Sequence, residues 1–171
     1  MSIINYTYFK QQLKFPVDNA DDDKLQGWIN KEEPIILRKV LGYALYKEFK
    51  AGLVPETPAT KWVELRDGAE YIDSNGDDQK HDGIFLIITD HVFSAIVESL
   101  QTEATDSGVK IALADNADNA SPQEKLLYAQ NDMVNRIAVM NDFINQTNEI
   151  TPDTYENYLP ELIEKTNAFD L

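Results

Sequence analysis

The sequence contains no cysteine, which excludes disulfide staples and thiolate metal sites and fits a reducing compartment or a virion. Histidine occurs only at His81 and His91, in neither a zinc-protease spacing nor the neighbourhood of a nucleophile elbow, so no catalytic residue and no metal ligand can be named. The seven glycines are scattered. A phosphate-binding loop needs them close together, so that backbone amides can approach the anion, and no cofactor is expected. Cations are scarce, with 15 Lys and Arg against 30 Asp and Glu, a formal charge of -15. Affinity for a phosphate backbone comes from Lys and Arg displacing condensed counterions, so sequence-specific nucleic-acid binding is disfavoured. Long apolar runs are also missing. The best membrane candidate, Gly83 to Leu100, is interrupted by Asp90, His91 and Glu98 and reads as a buried amphipathic helix. Met1 to Phe15 has no basic region followed by an apolar run, which argues against a secretion signal.

What is present describes a folding chain. Of 171 residues, 43% are apolar and 10% aromatic, too many for a disordered acidic polymer, and the length suits one domain with a real core. Up to Phe85 there are 11 basic and 15 acidic residues, and beyond it 4 and 15, so the net charges are -4 and -11. The acidity therefore lies mainly in the C-terminal part. An acidic surface can face a basic partner, repel DNA that must pass without sticking, or simply keep the protein soluble.

Helical spacing dominates the chain, and the expected architecture is mainly α: a helical bundle with a small projecting β-hairpin and extended terminal segments. Residues 1–20 read as an N-terminal arm, since Ile3 to Phe15 mixes β-branched and aromatic residues with polar ones and stops at Pro16, which suits a short strand. The helical core spans 21–148. Asp21 to Asp23 open a short helix through Leu25, Trp28 and Ile29, and Pro34 interrupts it and starts a second one through Leu37, Val40, Leu41, Leu45 and Phe49, ended by Gly52 and Pro55. Thr60 to Arg66 suits two turns of helix, with a short strand as the alternative. Within residues 69–81, Tyr71-Ile72 leads into Asp73-Ser74-Asn75-Gly76-Asp77-Asp78, where Asn-Gly supplies the positive backbone angles of a tight hairpin turn. The most apolar helix follows, about Asp82 to Thr105, with Ile84, Ile88, His91, Val92, Ala95, Ile96 and Leu100 on one stripe. Val109 to Ala120 reads as a loop with room for one short strand. Ser121-Pro122-Gln123-Glu124 is a capping signal for a long helix striped by Leu126, Leu127, Met133, Val134, Ile137, Ala138, Met140 and Ile144. Residues 149–171 form a C-terminal docking segment, helix or tail, carrying Tyr155, Tyr158, Leu159, Leu162, Ile163 and Phe169.

Two polar clusters invite chemistry. Asp73, Asn75, Asp77 and Asp78 place oxygens on a turn, as calcium loops do, but counting from Asp73 the sixth position holds Asp78 instead of glycine and the twelfth Ile84 instead of a bidentate Glu. A solvated hairpin tip is the better reading. Asp90 and His91 are adjacent on a helix and so face different directions, which does not make an acid and base couple.

The words Gln26-Gly27-Trp28-Ile29, Glu32-Glu33-Pro34-Ile35-Ile36-Leu37 and Leu41-Gly42-Tyr43-Ala44-Leu45-Tyr46-Lys47-Glu48-Phe49 resemble head-tail connector, or adaptor, proteins of tailed phages that infect Bacteroidota. The resemblance continues through Lys61 to Tyr71, with its Gly-x-x-Tyr step, through the hairpin and apolar helix, and into Ser121-Pro122; Val97-Glu98-Ser99 departs from it in being less aromatic and more acidic. It implies a structural virion protein without catalysis, forming a closed dodecameric ring in the neck between head and tail. Its partners would be further copies of itself, the portal protein, and tail or stopper proteins.

Ring subunits use arms, hairpins and termini that a compact monomer does not need. The implied interface residues are Tyr6, Tyr8 and Phe9 in the N-terminal segment, Tyr71, Ile72, Asn75 and Gly76 in the hairpin, and Tyr155, Tyr158, Leu162 and Phe169 in the C-terminal segment. Acidic side chains facing the ring's channel would let DNA slide through. The competing readings are an acidic protein-binding module such as a DNA-mimicking inhibitor, in which -15 on a compact body imitates a phosphate array, and a small hydrolase without a recognisable motif.

Overall fold

The computed structural model describes residues 2–12, 21–107 and 122–164, which are mainly helical. Its elements, in chain order, are α1 (Tyr6–Gln12), α2 (Asp22–Leu41), α3 (Tyr43–Gly52), α4 (Thr60–Asp67), strands β1 (Ala69–Ile72) and β2 (Asp78–His81), α5 (Ile84–Ser107) and α6 (Pro122–Ile150). The mainly α expectation with one antiparallel hairpin is met. Residues 13–20, the expected loop after Ser107, and Phe169 lie outside the described residues.

Helix α5 packs along α6 on one side and against α2 on the other, and these three helices enclose the core. Ile84, Ile87, Ile88 and Val92 of α5 are buried among Leu25, Ile29, Ile36, Leu37 and Val40 of α2 and Met133, Ile137, Met140 and Ile144 of α6. Two buried hydroxyls of α5 are satisfied within the helix itself: Thr89 Oγ1 donates to the Phe85 carbonyl at 2.9 Å and Ser94 Oγ to that of Asp90 at 2.8 Å.

Helix α2 starts as expected. The Asp21 carboxylate caps it, accepting from the amides of Asp23 and Lys24 at 2.9 and 3.2 Å. It does not end at Pro34, however. The proline sits inside a continuous helix, at a cost of about 3 kcal/mol. Burial of Leu25 and Ile29 before it and of Ile36, Leu37 and Val40 after it, all against the same core, keeps the two halves in line. The break falls instead at Gly42, with φ 77° and ψ 159°. That left-handed φ suits glycine, and a Cβ there would sit 2.6 Å from the Leu159 carbonyl oxygen of the C-terminal segment crossing above it.

The N-terminal segment is a second correction. In place of a strand or free arm it forms α1. Asn5 Oδ1 accepts from the Tyr8 amide at 2.9 Å, an N-cap that starts the turn, and Phe9 is fully buried. The amides of Ile3 and Ile4 end on Glu33 Oε2 at 2.7 and 3.2 Å. A buried carboxylate in α2 thereby anchors the start of the chain, and burial pushes its pKa up.

The hairpin pairs Ala69 with His81 and Ile72 with Asp78. Its loop is longer than a tight Asn-Gly turn: among the described residues only Gly76 has a positive φ there. Asp73 closes it, its Oδ1 accepting from the amides of Asn75 and Asp77 at 2.9 and 3.0 Å. At the hairpin's base the two chains cross at Gly68 and Gly83, where a Cβ on Gly68 would meet the His81 carbonyl oxygen at 2.4 Å. After α6, residues 151–157 turn and 158–164 have no regular secondary structure, so among the described residues the docking segment beyond α6 is a strap without helix.

Candidate functional site

Phe143 of α6 organises the polar and projecting parts of the molecule. His81 stacks on its ring at 4.1 Å and 25°, while Tyr71 meets it edge-on at 5.6 Å and Tyr155 lies 6.1 Å away. The hairpin and the C-terminal segment thus converge on one aromatic side chain. Tyr71 also donates to Asp142 Oδ2 at 2.9 Å, and burial together with that carboxylate pushes its hydroxyl up to about 12. Arg136 of α6 adds a clamp, reaching Asp90 Oδ2 at 3.0 Å and Asp82 just beyond β2. These contacts fix the direction in which the hairpin leaves the body.

Beyond its base the hairpin stands in solvent. Ala69 and Tyr71 turn inward, whereas Glu70 and Ile72 are exposed, Ile72 to 56%. Asn75 and Gly76 are at the exposed tip, with open space around Gly76.

Of the terminal residues the sequence proposed for an interface, several serve the chain's own core. Phe9 is buried; Tyr6 and Tyr8 are half-buried, with the Tyr8 ring edge-on to Phe85 at 5.0 Å. Tyr155 is also buried, its hydroxyl donating to the Lys61 carbonyl and its amide to Asn148 Oδ1, both at 2.8 Å. Tyr158 is half-buried and its hydroxyl donates to Asn141. Burial raises the pKa of both phenols. An amphipathic tyrosine whose hydroxyl reaches a backbone carbonyl is as much an internal anchor as an interface residue. Leu162 is the exception at 86% exposed, and Leu159, at 79%, joins it.

The strap that carries these leucines lies over the end of α2. The Leu159 amide donates to the Leu41 carbonyl at 3.3 Å and the Glu161 amide to that of Lys39 at 2.8 Å, which satisfies carbonyls the helix end would leave open. The Leu-Gly-Tyr word thereby acquires a physical meaning: Gly42 is where the strap crosses.

Beneath the strap a cleft of about 640 Å³ opens between α2, α5 and α6, with Ile163 at its rim. Inside it Glu32 is nearly buried, with His91 Nε2 3.3 Å from one carboxylate oxygen and Lys31 Nζ 3.0 Å from the other. Burial lowers the His91 pKa and the Glu32 charge opposes that. Gln130 donates to Glu98 at 2.9 Å across the mouth. The Ser94 hydroxyl is committed to its own helix, and among the described residues no three His, Asp or Glu side chains gather as metal ligands. What this arrangement can do is tie α2 to α5 through a carboxylate held between two basic groups. Sequence reasoning missed both Glu32 with His91 and Phe143; the spacing Met140, Phe143, Ile144 carried the signal for the last.

Fold and surface together define a helical protein with a clamped projecting hairpin and a terminal strap, in which no described helix is long and apolar enough to cross a membrane. Residues 37–145, more than half of the chain, match a family described as a family of unknown function (DUF6712), and the chain belongs to that family. No curated protein and no solved structure matches it.

Proposed function

We propose that this chain is a structural virion protein, a head-tail connector (adaptor) subunit that assembles into a ring between the portal and the tail of a tailed bacteriophage. The observation that carries this reading is the distribution of apolar surface. A well-filled three-helix core coexists with exposed Ile72 on the hairpin and exposed Leu159 and Leu162 on the strap. A hairpin that leaves the body in a fixed direction and a strap held on its surface, both carrying exposed apolar side chains, suit contacts with neighbours. The resemblance from Leu25 to Pro122 supplies the kind of neighbours: further copies, a portal protein and tail proteins.

In this reading the core acts as a rigid wedge. The Phe143 cluster and the Arg136 clamp set the hairpin's angle, so that each subunit presents it identically around the ring. The N-terminal segment belongs to the wedge, since α1 is tied down by Glu33 and Phe9. The test is co-expression with the portal protein of the same phage. A stoichiometric complex that survives purification is expected. Failure to bind portal, together with tight salt-sensitive binding to a basic nuclease or regulator, would replace the reading with that of an acidic protein-binding module.

A further inference from the structure

We propose that, in the assembled state, the strap of one subunit seats its outward leucines in a basic and apolar cleft at the far end of α3 in a second copy. This inference rests on the ring reading and names the surfaces that would build it.

The receiving cleft, about 600 Å³, lies where the N-terminal segment, the end of α3, α4 and the start of α5 meet. Its apolar lining comes from Ile3, Leu53, Val54 and Phe85, and Val54 is 81% exposed. The charged residues of its lining are Lys50 and Arg66, and no carboxylate is among them. Arg66 is held flat by Asp67, at 2.6 and 2.7 Å, with its guanidinium 5.6 Å over the Phe85 ring, so it forms a fixed wall. Asp67 pairs with Arg66 and Glu33 lies within electrostatic reach of Lys50, so each cation has a carboxylate behind it, while none lines the cleft itself.

The strap has the complementary character. Leu159 and Leu162 face solvent at 79% and 86% exposure, and Glu161 and Glu164, interleaved with them, are exposed as well. Ile163 instead packs on the chain's own core, and the strap's amides are bound to α2, so the leucines are presented by a segment already ordered. Apolar residues alternating with carboxylates fit an apolar cleft walled by Lys and Arg.

Geometry excludes the same contact within one subunit. Leu159 crosses at Gly42, the residue before α3, whereas Leu53 of the cleft follows its last residue. Ten residues of helix separate them by about 15 Å. Two different, complementary patches at opposite ends of a rigid helix make a head-to-tail contact, which closes into a ring if the rotation allows.

The absence of cysteine makes the test clean. Val54→Cys and Leu162→Cys are prepared separately, both at exposed positions, then mixed and treated with a short bismaleimide. The expected result is a mixed cross-linked dimer in about tenfold excess over either like pair, because the interface raises the effective concentration of one cysteine near the other. Adding Glu161→Lys and Glu164→Lys to the strap variant should abolish that excess. The wild-type mass is read in parallel, by sedimentation alone and with portal protein. If wild type assembles but the cysteines couple no better than at random, the strap contact is overturned and the ring reading survives. If wild type remains a monomer in both conditions and no excess forms, both fall.

Discussion

Lowering the pH should unfold this protein partly through His81. The imidazole is 1% exposed, stacked on Phe143, with Nδ1 accepting from the Gly83 amide at 3.3 Å. Burial drives its pKa down from 6.5 to about 4, against the opposing charge of Asp82. A depressed folded-state pKa means that the unfolded chain binds the proton first. The contribution of neutral His81 is complete above pH 6.5 and is lost as pH falls toward 4. At about 1.36 kcal/mol per tenfold change, protonation should cost about 3 kcal/mol by pH 4. Chemical denaturation of wild type and His81→Gln, measured from pH 7 to pH 4, isolates this contribution. Carboxylates and His91 titrate in both proteins, so only the difference in slope counts. Wild type should lose about 3 kcal/mol more than the variant over that range, whatever their relative stability at pH 7. Parallel curves would refute the argument, since they would mean that His81 accepts its proton in the folded state as readily as in the unfolded one.

Other substitutions test other joints. Phe143→Ala removes the ring on which His81, Tyr71 and Tyr155 converge and should cost about 3 to 5 kcal/mol in denaturant melts. Glu33→Ala strands the Ile3 and Ile4 amides and should cost about 1 to 3 kcal/mol, with faster hydrogen exchange in α1; Glu33→Gln, which keeps an acceptor and removes a buried charge, should stay within about 1 kcal/mol of wild type. Gly42→Ala combines a left-handed backbone with a 2.6 Å clash against Leu159 and should cost about 1 to 3 kcal/mol, with loss of exchange protection at the Leu159 and Glu161 amides.

Helical periodicity made most of the fold legible. Of the stripe beginning at Ile84, Ile84, Ile88 and Val92 are buried, and of that beginning at Leu126, Leu126, Met133, Ile137, Met140 and Ile144 are buried while Ala138 is exposed; Asp21 caps its helix as its residue type suggests. Tertiary packing overrode the local rules at Pro34, where burial on both sides held the helix together. It did so again at Asn5, whose capping role was obscured by the β-branched residues before it. The break at Gly42 was not legible, because its cause, the crossing strap, lies more than a hundred residues away in sequence. For the same reason the pairing of Glu32 with His91 could not be read: their neighbourhood exists only once α2 and α5 pack. Among the proposed interface residues, type alone did not distinguish Tyr155, an internal anchor, from Leu162, an exposed one. Both are apolar and follow α6, and only the surrounding chain decides which is covered.

Imaging of the purified protein bound to its portal, at a resolution that traces side chains, bears most directly on the account. It should show copies of this chain in a closed ring, with the hairpin and the strap from Leu159 to Glu164 buried between neighbouring subunits or against portal and tail proteins. A portal-bound chain whose hairpin and strap both remain in solvent would contradict it.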